Sequence, residues 1–259
     1  MESRGRDFMT FSMRLRHPSV LAAMAGRNDG EFCRAVGKLG VGMVTIGGIS
    51  VDEKSMEASR TMVERGRREF LFDDLYSFLE ENIPVARESG AAVSVNIRSS
   101  TVAGYVEAAH YIQDFGCVVE INAHCRQHEM MVIGAGQSLL DNLYMLKTIV
   151  DELENTGIIP LIKFRGNVTS EPVILDTVHP KAVHIDAYRE GKKGFDFSVF
   201  KGISAHECFK IGNNSVTTPD VALKVLRVCD AFSFAQIAWN HAAVKALVDT
   251  IPLKLKPDQ

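Results

Sequence analysis

Short apolar runs alternate along this chain with longer stretches of helical period, and the alternation continues to the end. The runs that read as strands are 20–23, 43–46, 92–97, 118–122, 158–164, 182–186, 208–212 and 231–234. Each is followed by a polar or glycine-containing loop and, in most cases, a helix, the pattern of a parallel sheet flanked by helices. Eight units predict closure into a barrel, so the expected fold is α/β, a single (β/α)8 TIM barrel. Leu75, Phe78, Leu79, Ile83 and Ala86 recur at spacings of three and four and form one apolar helical face, which Pro84 is expected to kink. Leu139, Leu140, Leu143, Leu146, Ile149, Val150 and Leu153 predict another helix after Gly134-Ala135-Gly136. Thr218-Pro219-Asp220 starts the seventh helix with a capping residue and then proline. No strong helix is expected between Tyr188 and Glu207, and 239–248 reads as the eighth.

The length of 259 residues matches one barrel, with 1–18 as a lead-in and 250–259 as a polar tail. Hydrophobic residues make up 46%, enough for a large core, and the net charge of −3 argues against polyanion binding by the molecule as a whole. A nucleic-acid surface would be a local patch: Arg60, Arg65, Arg67 and Arg68, with Arg4, Arg6, Arg14 and Arg16 near the start, residues that read equally as a solvated face. The five cysteines contain no CxxC pair, so neither a disulfide framework nor a zinc knuckle is expected. Met1 to Arg16 lacks an apolar run, and no stretch of about 20 apolar residues follows, so the reading is a cytoplasmic protein without signal peptide or membrane span.

In a barrel, chemistry sits at the C-terminal strand ends. Glu120 and Asn122 share a face of the fourth strand, Lys163 and Arg165 of the fifth, His184 and Asp186 of the sixth. Asn96 ends the third, and Asn213 with Asn214 follows the seventh. Charges inside apolar strands are costly unless paired, so Glu120, Lys163 and Arg165 read either as functional groups or as an internal ion pair bracing the barrel. Cys125 lies in a polar loop between His124 and Arg126, where cations favour thiolate chemistry, whereas Cys33, Cys117, Cys208 and Cys229 read as packing. His124, Cys125 and His128 lack an evident further partner for a metal. Arg27, Arg98 and Arg126, in loops at the expected mouth, hint at an anionic ligand.

The stretch Leu21-Ala22-Ala23-Met24-Ala25-Gly26-Arg27-Asn28-Asp29, continuing to Phe32 and Arg34, resembles the opening of the tRNA-dihydrouridine synthases, flavin-dependent barrels. Glu120, Asn122, His124 and Cys125 resemble that family's Asp-x-Asn-x-Gly-Cys-Pro, and Gly134 to Leu140 its Gly-x-Gly-x-x-Leu-Leu. Lys163-Phe164-Arg165 resembles Lys-x-Arg, and Asn213-Asn214-Ser215-Val216 with Pro219-Asp220-Val221-Ala222 resembles Asn-Gly-Asp-Ile with its helix start. The order and spacing of these motifs together carry the resemblance.

The resemblance implies an FMN-dependent oxidoreductase that reduces the C5=C6 bond of a uracil-type ring. It assigns FMN to Ala23, Met24, Ala25, Asn96, Lys163, His184, Asn213, Asn214 and Ser215. It makes Cys125 the proton donor, Asn122 the orienting residue, and Arg126, Arg165 and Glu120 substrate contacts. The sequence departs from the family at Ile185-Asp186-Ala187, where His-Gly-Arg is expected and His184 and Arg189 are the available substitutes. It departs again at Ala235-Gln236 for Gly-Arg and at Gly47 for glutamate, and the family's C-terminal helical RNA-binding domain has no counterpart in the sequence. The substrate is thus either uracil-containing RNA or a small pyrimidine, the latter also suggested by likeness of Glu120-Ile121-Asn122 and Cys125 to dihydroorotate and dihydropyrimidine dehydrogenases. A flavin-free barrel serving as a binding subunit is the third reading. The electron donor and oligomeric state are unknown from sequence.

Overall fold

The computed structural model describes residues 15–251; the start of the lead-in with Arg4, Arg6 and Arg14, and most of the polar tail, lie outside them. Eight parallel strands close in chain order: β1 (Ser19–Leu21), β2 (Met43–Ser50), β3 (Ala92–Arg98), β4 (Val118–Ala123), β5 (Leu161–Arg165), β6 (Ala182–Asp186), β7 (Phe209–Asn213) and β8 (Ala231–Phe234). Closure is made by β8 on β1, with Val20 beside Ser233. The chain is a single (β/α)8 barrel. Its helices are α1 (Gly30–Gly37), α2 (Glu53–Glu64), α3 (Leu75–Arg87), α4 (Val102–Asp114), α5 (His128–Met131), α6 (Leu143–Asn155), α7 (Glu171–Val178), α8 (Ser198–Gly202), α9 (Pro219–Val225) and α10 (His241–Thr250). None of the described helices is long and apolar enough to cross a membrane.

Where elements depart from the sequence reading, local chemistry explains it. Pro160 has no N–H to give a ladder, and β5 begins only after it, at Leu161. β2 runs on through two glycines to Ser50, where pairing with β3 resumes after a register shift between Gly47 and Ile49. The apolar period from Leu139 to Leu153 covers two elements: a 3-10 turn, Gly136–Leu140, and α6. Between them the Asn142 side chain accepts from Met145 N at 3.1 Å and caps α6. A second 3-10 turn, Gln236–Trp239, precedes α10, and the sixth unit holds only the short α8. α3 continues through Pro84 as one helix.

The barrel interior changes character along its axis. Val20, Met43, Val118, Leu161, Ala182, Phe209, Ile211 and Ala231 form an apolar plug toward the N-terminal ends. Two residues further along β4, β5 and β6, period-two alternation brings Glu120, Lys163 and His184 inward, and two further on Asn122, Arg165 and Asp186. The strands' other faces pack on the helices in one continuous cluster.

Asp52 fixes the loops above β2 and β3 to one another. It caps α2 by accepting from Ser55 N at 2.9 Å, while its other oxygen accepts from Ser99 Oγ at 2.8 Å and from Ser100 N and Oγ at 2.7 Å. Burial opposes the charge, but hydrogen bonds from Ser55, Ser100 and Ser99 outweigh it and hold the carboxyl below its ordinary range. Asp52→Ala is expected to cost about 1–3 kcal/mol, read as a lower urea midpoint at unchanged slope. A midpoint equal to wild type would contradict this anchoring role.

Candidate active site

A chain of buried hydrogen bonds crosses the barrel below its C-terminal mouth. Asn122 Nδ2 donates to Asn96 Oδ1 at 2.7 Å, and Asn96 Nδ2 donates to Glu120 Oε1 at 2.6 Å. Glu120 Oε2 lies 2.7 Å from His184 Nδ1, and His184 Nε2 lies 2.6 Å from Ser233 Oγ. A carboxylate only accepts, so Nδ1 carries the proton and Nε2 accepts from the serine hydroxyl. Burial alone would push Glu120 up; the Lys163 charge, then His184, prevail and hold it down at about 2. Burial, followed by the Lys163 charge, pushes His184 down and keeps it neutral.

Above this network lies a cavity of about 890 Å³. Asn96, Asn122, Cys125 and Lys163 line it, together with Ala23, Met24, Ala25 and His124. Lys163 is 4% exposed and makes no hydrogen bond or ion pair among the described residues. Asn122 holds the next turn: its Oδ1 accepts from His124 N at 3.0 Å and Cys125 N at 2.8 Å. The Cys125 carbonyl accepts from Gln137 N at 2.8 Å, which ties the Cys125 turn to the 3-10 turn Gly136–Leu140. Arg98 NH1 stands 3.8 Å from Cys125 Sγ. Of the five cysteines, Cys125 alone is not buried; burial pushes the thiol of Cys117 up to about 11 and that of Cys33 higher still.

No protein-family model matches the chain. Over 226 residues it is 33% identical to the uncharacterized protein MJ0144 of Methanocaldococcus jannaschii, covering 84% of this chain and 87% of that one. The chain belongs to the MJ0144 family. Among solved structures it resembles morphinone reductase in complex with tetrahydroNAD, with TM-score 0.60 and 11% identity over 86% of this chain and 83% of that one. It also resembles TcOYE with pHBA, with TM-score 0.66 and 10% identity over 92% and 90%. At these identities the likeness is one of fold.

Within this MJ0144-family barrel, the residues expected at the site separate by depth. Glu120, expected to touch substrate, is wholly buried and does not line the cavity, with both oxygens engaged by Asn96 and His184. His184, expected at the cofactor, likewise lies below the cavity, both ring nitrogens engaged inside the barrel. Arg189, the available substitute for the family's arginine, pairs with Asp196 at 2.6 Å and does not line the cavity. Arg165 lies over the Tyr188 ring at 4.7 Å and 3.4 Å from Asp186, and Arg126 is exposed, both outside that wall. Asn213 at the end of β7 and Asn214 and Ser215 after it do not line the cavity either; Asn214 and Ser215 have φ of 110° and 55°.

The sequence read His124 as a neighbour of Cys125, a position of the resembling motif and a possible metal ligand, and gave no sign of its partner. Its Nε2 lies 2.8 Å from Asp186, which stands where the family pattern has glycine. Sequence reasoning missed Glu69, whose wholly buried side chain holds Arg98 at 2.7 Å and Arg67 at 2.8 Å. Its signal was one acid following the run Arg65-Gly66-Arg67-Arg68. No group of three or more His, Cys, Asp or Glu among the described residues is arranged to hold a metal ion.

Glu120 and His184 both make stability fall in acid. Glu120 is lowered from an ordinary 4.5, so its contribution is full above that value and is lost as pH drops toward about 2. His184 is lowered from 6.5, so its contribution is present above 6.5 and declines below it. Urea midpoints are therefore expected to fall from about pH 6.5 downward and more steeply below 4.5. Glu120→Ala should cost about 3–5 kcal/mol at neutral pH and flatten the lower limb; an unchanged acid profile in that variant would overturn the assignment.

Proposed function

We propose that this chain is an FMN-dependent oxidoreductase that reduces the C5=C6 bond of a uracil-type ring. The observation that carries the reading is the meeting of Asn96, Asn122, Cys125 and Lys163, from β3, β4, the loop after β4 and β5, on one cavity wall. The likeness in fold to morphinone reductase supports it.

The residues present suit a flat, polar-edged cofactor. Gly48 lines the cavity where a Cβ would stand 2.4 Å from Asn96 Oδ1, so the floor stays level there. Lys163 offers an ammonium that no described side chain engages directly, suited to a ring carbonyl. Asn96 and the Ala23-Met24-Ala25 backbone would flank the ring. The phosphate would reach beyond the cavity wall to Asn213, at the end of β7, and to Asn214 and Ser215 after it, where barrels often bind one. Bound there, reduced FMN would supply a hydride to C6 of the substrate.

The protein's part is position and a proton. Cys125 Sγ gives its proton to C5, and the Arg98 guanidinium beside it balances the thiolate left behind. Asn122 sets the position of that thiol through two backbone N–H groups. Asn96, fixed from below by the Glu120 carboxylate, holds Asn122 in register.

The purified protein is expected to show flavin absorbance or to acquire it with added FMN. A colourless protein that takes up none would overturn the reading in favour of a binding subunit. Cys125→Ala should keep flavin while reoxidation of the reduced form by a uracil-type substrate slows about 100-fold or more; reoxidation at the wild-type rate removes Cys125 from its role.

A further inference from the structure

The cavity wall contains Arg27, Arg67, Arg68, Arg98 and Lys163 and no carboxylate. In a chain of net charge −3 this is a local excess of positive charge. Two acids offset part of it from behind: Glu69 against Arg98 and Arg67, and Glu120 against Lys163. Arg27 and Arg68 have no acidic partner among the described residues. Arg27 is held over the Trp239 ring at 5.1 Å, a contact that fixes the side chain without neutralising it.

Arg27 and Arg68, both exposed, line the same cavity, and the segments that carry them lie close together. An added Cβ on Gly26 would stand 2.6 Å from Arg68 C and 2.6 Å from Glu69 N, so the β1 loop and the segment between α2 and α3 lie in close contact. That segment is tied down at two further points. Glu69 joins it to Arg98 at the end of β3, and Arg65 reaches Glu129 at 2.5 Å and Gln127 at 2.6 Å, just after the Cys125 loop. It therefore crosses the rim from the β1 side to the β4 side and carries its arginines into the cavity wall.

We infer that Arg27 and Arg68 form an anion subsite for the phosphate of a free pyrimidine mononucleotide, and that the substrate is this small molecule rather than RNA. The inference rests on the reading of the cavity as the site of a uracil-type substrate. Guanidinium groups suit a phosphate dianion, and a wall without carboxylates adds no repulsion. Cations confined to one cavity wall, in a chain of net charge −3, fit the single phosphate of a mononucleotide better than the extended backbone of an RNA strand.

Calorimetric titration of the purified protein with UMP and with uridine tests this. UMP should bind at least about 10-fold more tightly, and Arg27→Gln and Arg68→Gln should each erase most of that advantage while leaving uridine affinity in place. Equal affinities in the wild type, or an advantage that survives both substitutions, would overturn the subsite. Tighter binding of a uridine-containing oligonucleotide than of UMP, by 10-fold or more, would reassign it to RNA. Flavin fluorescence titrations with FMN and riboflavin separate the other source of phosphate: loss of FMN preference in the two variants would assign the arginines to the cofactor and overturn the proposal. A protein that takes no FMN yet separates UMP from uridine refutes the flavin reading alone. One that takes FMN and binds UMP and uridine alike refutes the subsite alone.

Discussion

The Glu120 carboxylate is the group on which the upper half of the barrel depends. A full negative charge inside an apolar shell is tolerated only where opposite charge and donors surround it, and Lys163, His184 and Asn96 do so. In return the carboxylate fixes two side-chain orientations at once. It sets the proton on His184 Nδ1 and it turns the Asn96 amide so that Oδ1 is free for Asn122. The position of the Cys125 turn is thus set from the middle of the barrel upward, by four side chains on three strands. The sequence alternatives of functional group and internal brace converge here: Glu120 braces the barrel, and Lys163 lines the cavity.

Much of the fold was legible because period-two alternation in short apolar runs and period 3.6 between them leave few alternatives to a closed parallel sheet. Legibility failed where register depth matters. Glu120 and Asn122 point to the same side of β4, and nothing in their spacing says that one pleat separates a buried brace from a cavity wall. His184 and Lys163 differ for the same reason, being neighbours in register on β6 and β5 with different partners above and below. Helix boundaries failed where apolar period continues through a cap, as at Asn142.

The rim segment was the least legible part. Its arginines stood out as a charge run, but their placement depends on an ion pair between Glu69 and Arg98 and on backbone contact with Gly26, all distant in sequence. A solvated face and a cavity wall have the same composition. Only tertiary contacts distinguish them, and here the buried Glu69 side chain holds Arg67 and Arg98 at the site.

The apolar plug at the base of the barrel has a kinetic consequence. With Phe209, Met43 and Leu161 closing the far end, the cavity has no back exit, and whatever visits it arrives and departs by one opening. On the proposed function, a reductant and then an acceptor that need the same atoms would have to use that opening in turn, the first leaving before the second could enter.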